Sequence, residues 1–329
     1  MAYPYILFIL SLLLTFSSST PNPNTITLPL SPLFPKSQSS NLFHSLKTLA
    51  SSSLSRAHHL KTQNSNHKSS SITNTQIFSK SYGGYSINLN FGTPSQTLSF
   101  VLDTGATTGF LLLENLNFPG KTVPDFLVGC SILSTQVPAG IVGFGRDNDS
   151  LPSQIGLKRF SYCLLSHQFD DSPENSYLVL QVTSTGDTKT KGLSYTPFRK
   201  NLSTNNTSFL QYYYVNLRSV VIGGKHVKIP LTVSEPGIDG NGGTIVDSGS
   251  TFTFMEKEIF DLVVEEFEKQ LANFTRAKEI EGSSGLSLCF NFTGVKTVPF
   301  PEVVFQFKGG WSFRCMVVIM RRGAMFVMI

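Results

Sequence analysis

Two tripeptides in this chain could do chemistry together: Asp103-Thr104-Gly105 and Asp247-Ser248-Gly249. Each follows an apolar run, Phe100-Val101-Leu102 in the first case and Thr244-Ile245-Val246 in the second, and the second runs on into Ser250. A single Asp-[Ser/Thr]-Gly is weak evidence, because a turn that ends a strand uses the same residues. Two copies in the same context point to an internal duplication, with two lobes offering one carboxylate each. Two Asp side chains about 3 Å apart cannot both ionise, so they share one proton. The ionised member can take a proton from a water held between them, and the protonated member can donate to a carbonyl oxygen. Thr104 and Ser248 carry hydroxyls able to bond across the lobes, while Gly105 and Gly249 allow close backbone approach. This chemistry calls for no metal and no cofactor. The six histidines include no His-Glu-x-x-His, and no Gly-x-Ser-x-Gly elbow, P-loop or dinucleotide fingerprint occurs.

The elements that must hold these loops are strands. Tyr85, Ile87, Leu89 and Phe91 alternate with polar residues, a Gly-Thr-Pro-Ser turn follows at 92–95, and Leu98, Phe100 and Leu102 alternate again. This is a hairpin whose second strand runs into Asp103. Further strands are expected at 111–116, 126–130, 177–182, 212–222 and 244–246. One helix is expected over 256–271, with Ile259, Phe260, Val263, Val264, Phe267 and Leu271 on one face. Residues 20–81 are rich in Ser, Asn, Thr, Pro and Lys, read as a low-complexity propeptide or linker with a short helix at 46–60, and order is expected to begin near Tyr82.

The chain has 329 residues, 40% of them hydrophobic and 12% aromatic, enough for two lobes of β-rich structure. The net charge of +5 is scattered and gives no nucleic-acid footprint. An apolar run at 6–16 followed by small residues at 17–20 reads as a signal peptide over 1–19, too short for a stable membrane anchor. The expected destination is the secretory route: extracellular, in cell wall or apoplast, or vacuolar. Asn148, Asn201, Asn205, Asn206, Asn273 and Asn291 each begin an N-x-[ST] glycosylation sequence. The four cysteines, Cys130, Cys163, Cys289 and Cys315, match no zinc or redox spacing and suggest disulfides, with three pairings open.

Several stretches together resemble the pepsin family (A1) of aspartic endopeptidases, in its plant nepenthesin-like branch with xylanase-inhibitor-type lobes. They are the segment 85–94, Asp103-Thr104-Gly105, the segment 139–145 with Leu151-Pro152-Ser153-Gln154, Phe160-Ser161-Tyr162-Cys163, and the segment 243–250. The resemblance covers roughly residues 82–310. It implies a mostly β, bilobal pepsin-like fold, an N-terminal lobe at 82–198 and a C-terminal lobe at 199–329. It implies Asp103 and Asp247 as catalytic residues, Thr104, Gly105, Ser248, Gly249 and Ser250 in the supporting loops, and Ile141-Val142-Gly143 as the segment threading the first loop. The implied partners are peptide or protein substrates of a monomeric enzyme.

The chain also departs from that family. The two triads are 144 residues apart, and Asp103 is followed almost at once by Phe110-Leu111-Leu112-Leu113-Glu114, where relatives carry a flap hairpin and its Tyr. Ala106 stands where the family has a Ser beside the carboxylate. After Gly310 the sequence leaves the family pattern, and the second lobe's threading segment and last strands are not found. The expectation is a truncated peptidase with weakened or lost activity. The alternative is a non-catalytic binding or inhibitor protein on the same scaffold.

Overall fold

The computed structural model describes residues 25–32, 85–104, 111–129, 140–164, 176–183, 192–200, 210–237, 242–250, 252–284, 288–295, 300–315 and 324–326. The expected signal peptide, the 46–60 helix, Gly105, Ala106, Asn201, Asn205 and Asn206 lie outside these residues. Among the described residues no helix is long and apolar enough to cross a membrane.

The first lobe is one sheet of eight strands. β1 (Thr25–Pro32) precedes the hairpin of β2 (Tyr85–Phe91) and β3 (Gln96–Asp103). A second hairpin follows, β4 (Leu111–Phe118) and β5 (Lys121–Gly129). Then come β6 (Gly140–Gly143), the short helix α1 (Leu151–Gln154), β7 (Arg159–Tyr162) and β8 (Ser176–Gln181). The strand order is β5-β4-β2-β1-β8-β7, with β3 paired to β2, and β6 to β3. The alternation of β2 buries Ile87, Leu89 and Phe91, which join Leu102, Leu116, Phe144, Leu178 and Leu180 in one core.

The structure corrects the expectation that order begins near Tyr82. Residues 25–32 form a strand between β2 and β8, with Ile26, Leu28 and Leu30 buried in the first core. The signal was present as strict alternation, Thr-Ile-Thr-Leu-Pro-Leu-Ser, but Pro29 and the polar chain around it masked it.

The second lobe carries its own core. It contains β9 (Tyr213–Val215), β10 (Leu217–Ile222), β11 (Lys225–Lys228), a helical turn α2 (Leu231–Ser234) and β12 (Thr244–Val246). It continues with α3 (Lys257–Gln270), α4 (Lys278–Ser284), β13 (Cys289–Asn291), β14 (Val303–Phe307), β15 (Ser312–Cys315) and β16 (Ala324–Phe326). The main sheet is β11-β10-β14-β15, β12 pairs with β9, and β13 with β16. The single strand expected at 212–222 is broken at Asn216, because β9 pairs with β12 while β10 pairs with β11 and β14. Ile259, Val263, Phe267 and Leu271 of the helical stripe pack on Val220, Ile222, Val303 and Phe305. The opposite face, mostly polar but with Leu262 exposed on it, carries the Lys257–Asp261 and Lys269–Glu265 ion pairs, each spanning one turn.

No disulfide is found among the described residues. Cys163 is exposed and free just after β7, and Cys289 is buried at the start of β13 in the other lobe. Asn148, Asn273 and Asn291 are all exposed.

Candidate active site

Asp103 ends β3 because the parallel strand β6 captures it. The register runs Phe100↔Gly140 to Asp103↔Gly143, and the Phe144 amide donates to the Asp103 carbonyl at 2.8 Å. Residues 141–143 therefore thread beside the first loop, as expected. Gly140 is required here: a Cβ would lie 2.6 Å from the Phe100 ring. Asp103 and Thr104 are almost wholly buried, at 3% and 2% exposure.

The second loop leaves β12 at Val246 and meets the first through reciprocal hydrogen bonds. The Thr104 amide donates to Ser248 Oγ at 3.3 Å, and the Ser248 amide donates to Thr104 Oγ1 at 2.9 Å. Each hydroxyl then donates to the strand carbonyl opposite: Thr104 Oγ1 to Val246 O at 3.2 Å, and Ser248 Oγ to Leu102 O at 2.9 Å. Each of the two hydroxyls in this knot thus donates once and accepts once inside the protein. A buried, satisfied network of this kind fixes the two loops in one arrangement.

Both carboxylates converge on Gly249. Its amide donates to Asp247 Oδ1 at 2.9 Å, and Ser250 Oγ donates to Asp247 Oδ2 at 2.8 Å. A Cβ on Gly249 would sit 2.7 Å from Asp103 Cγ and Oδ1 and 2.9 Å from Oδ2. The residue must be glycine because the Asp103 carboxyl occupies the side-chain space. Thus Asp103, Thr104, Asp247, Ser248, Gly249 and Ser250 come together, drawn from segments 144 residues apart.

Below the loops lies an aromatic block that the sequence did not mark as part of the site. Phe144, next to the threading strand, meets Phe160 edge-on at 5.2 Å, and Phe160 stacks with Tyr162 at 6.3 Å. Burial, and then the negative charge of Asp247, push the Tyr162 phenol up to about 12. Tyr162 therefore lies within the field of the second carboxylate. Tyr213 of the second lobe packs on Phe160 at 6.1 Å and donates its hydroxyl to the Phe144 carbonyl at 2.7 Å. Arg146 lies 5.9 Å from the Phe198 and Tyr213 ring centres. Asp147, one residue on, has a buried Oδ1 with no hydrogen-bond partner, and burial together with neighbouring Asp149 raises its carboxyl to about 6. Alternation on β7 could have flagged Tyr162 as facing inward, but nothing local shows which loop it faces.

A bilobal, mostly β molecule with a cross-lobe Asp-Thr and Asp-Ser-Gly knot defines a pepsin-like aspartic-protease scaffold. Residues 105–180 match the family described as xylanase inhibitor N-terminal, and residues 212–320 match xylanase inhibitor C-terminal. The chain is 30% identical over 240 residues to a probable aspartyl protease of Arabidopsis thaliana, covering 67% of this chain and 48% of that protein. It is 33% identical over 213 residues to aspartic proteinase nepenthesin-2 of Nepenthes gracilis, covering 63% and 46%. Among solved structures, that of edgp superposes with a TM-score of 0.60 at 17% identity, over 93% of this chain and 86% of that one. Basic 7S globulin from soybean gives 0.56 at 15% identity, over 92% and 86%. The chain belongs to the plant A1-type aspartic-protease-like family. It spans about half the length of the curated relatives it matches. The C-terminal match runs to residue 320, which corrects the expectation that the family pattern ends after Gly310, and β15 takes up the first of those residues as an edge strand on β14.

Proposed function

We propose that this site is built for aspartic-type endopeptidase chemistry, with Asp103 and Asp247 activating a water between them, and that activity is weakened or lost in this chain. The observation that carries the reading is the convergence of both carboxylates on Gly249, locked by the Thr104–Ser248 exchange. With one proton shared, the ionised carboxylate draws a proton from the water as it attacks the peptide carbonyl carbon. The other carboxyl donates to the carbonyl oxygen, giving a tetrahedral intermediate, and proton return to the amide nitrogen releases the two products. The weakening follows from the seven residues between Asp103 and β4, which leave no room for a hairpin over the cleft. Peptide or protein substrates, and a secreted or vacuolar destination, go with this reading. A purified sample tested on a denatured protein at acid pH should show activity that a pepstatin-type inhibitor blocks and a chelator leaves alone. Asp103→Asn and Asp247→Asn should each abolish it; activity surviving in either variant overturns the assignment.

The second reading is a non-catalytic binding protein. It draws support from the two matched families, both described as parts of a xylanase inhibitor. Inhibition of a xylanase by the Asp103→Asn variant, with no proteolysis by the parent, would favour it.

A further inference from the structure

We propose that residues 25–32 are a permanent strand of the first lobe, held firmly enough between β2 and β8 to stay bound when the chain is cut between β1 and β2. A processed form of the protein would then consist of two pieces, the short one clasped by the long one. The sheet order carries this inference. β1 is the one strand joining β2 to β8 in the β5-β4-β2-β1-β8-β7 path. It pairs with β8 over six positions, from Thr25↔Gln181 to Leu30↔Ser176, and then turns to β2 at Ser31↔Ser86 and Pro32↔Tyr85. The Ser86 hydroxyl also donates to the Ser31 carbonyl at 3.3 Å.

The side chains agree with the backbone. Ile26, Leu28 and Leu30 point into the core with Ile87, Leu89, Leu178 and Leu180, while Thr27, Pro29 and Ser31 face solvent. Without β1, both β2 and β8 would present unpaired backbone and the buried leucines beneath them would meet water. β8 would lose its link to β2, and β7, which pairs with β8, would go with it. β7 carries Phe160, which packs on Phe144 and on Tyr162, and the Phe144 amide holds the Asp103 carbonyl. The strand thus braces the platform beneath the site, and a leader trimmed away entirely would take the brace with it. The occupant of the slot is this chain's own segment, and its clasp is made of ladder bonds and apolar contacts, with no covalent link beyond the chain itself.

The test uses the full chain with a site-specific protease sequence inserted between residues 60 and 70. After cutting under native conditions, size exclusion and mass spectrometry should find the short N-terminal piece co-eluting one-to-one with the body and leaving only in denaturant. Leu28→Asp with Leu30→Asp should release it and lower the melting temperature by about 10 °C. Should that pair prevent folding, Leu30→Ala in the cut protein should speed release at least tenfold. Separation of the wild-type short piece from the body in native buffer overturns the proposal, whether or not the body keeps its melting temperature.

Discussion

Gly249 shows how much one residue can hold. Gly249→Ala would drive a methyl group into the Asp103 carboxyl, 2.7 Å away. The loop must then shift, costing about 1–3 kcal/mol of stability, as overpacking does. Thermal melts of the variant should read that loss, and any peptidase activity should disappear with it. Asp147 makes a second residue-scale prediction. Its folded-state carboxyl is raised from 3.8 to about 6, so the folded protein holds this proton more tightly than the unfolded chain. That contribution is full below about pH 4 and is lost as pH rises through about 6. The group is only about half buried, so the loss is discounted for screening to on the order of 1 kcal/mol. Asp147→Asn should remove it, giving a protein more stable than wild type above pH 6 and a flatter curve between pH 4 and 7. Urea melts at those pH values check both points. The two Asp-[Ser/Thr]-Gly loops were legible in sequence because their chemistry repeats. Tyr162 and Asp147 were not, because their environment is set by segments far away in the chain.

Elements were legible where their period is unbroken. The stripe expected over 256–271 is α3, and its residues Ile259, Val263 and Phe267 are the ones buried. Phe267 is fully buried and packs against Phe300 at 5.6 Å. Phe267→Ala should therefore cost about 3–5 kcal/mol. Lys257→Ala, which breaks only an exposed ion pair one turn along the helix, should change stability by less than about 0.5 kcal/mol. Chemical denaturation of the two variants side by side tests the assignment of faces. β1 shows where such reading fails. Its alternation spans seven residues, yet a proline in the middle demotes a strand, and composition averaged over 20–81 hides a short ordered piece. The break at Asn216 was illegible for another reason: only partner choice divides β9 from β10, and the partners that divide them, β12 and β14, lie about 30 and about 80–90 residues away.

At the scale of the molecule, the two cores share no residue: one runs from Ile26 to Leu180, the other from Val220 to Phe305. The lobes are coupled through the Thr104–Ser248 knot, the Tyr213 hydroxyl on the Phe144 carbonyl, and the Arg146 amide on the Gln211 carbonyl at 2.9 Å. Catalysis in such a molecule depends on both lobes presenting their carboxylates to one water, and on a cover that holds the peptide and excludes bulk solvent. The knot ties the two aspartate-bearing loops together, which favours the first condition. For the second, β4 follows Asp103 after seven residues, and its outer leucines, Leu112 and Leu113, are exposed. Positioning and closure contribute several kcal/mol to lowering a barrier, so their loss should cost on the order of a hundredfold or more in kcat/KM. Grafting a flap-bearing segment from an active relative between Gly105 and Thr108 should recover much of that factor, while the same graft in an Asp247→Asn background should recover nothing. Initial rates on a quenched-fluorescent peptide at acid pH compare the three proteins directly. Equal rates for the parent and the grafted chain would show that closure over the cleft is not what limits this site.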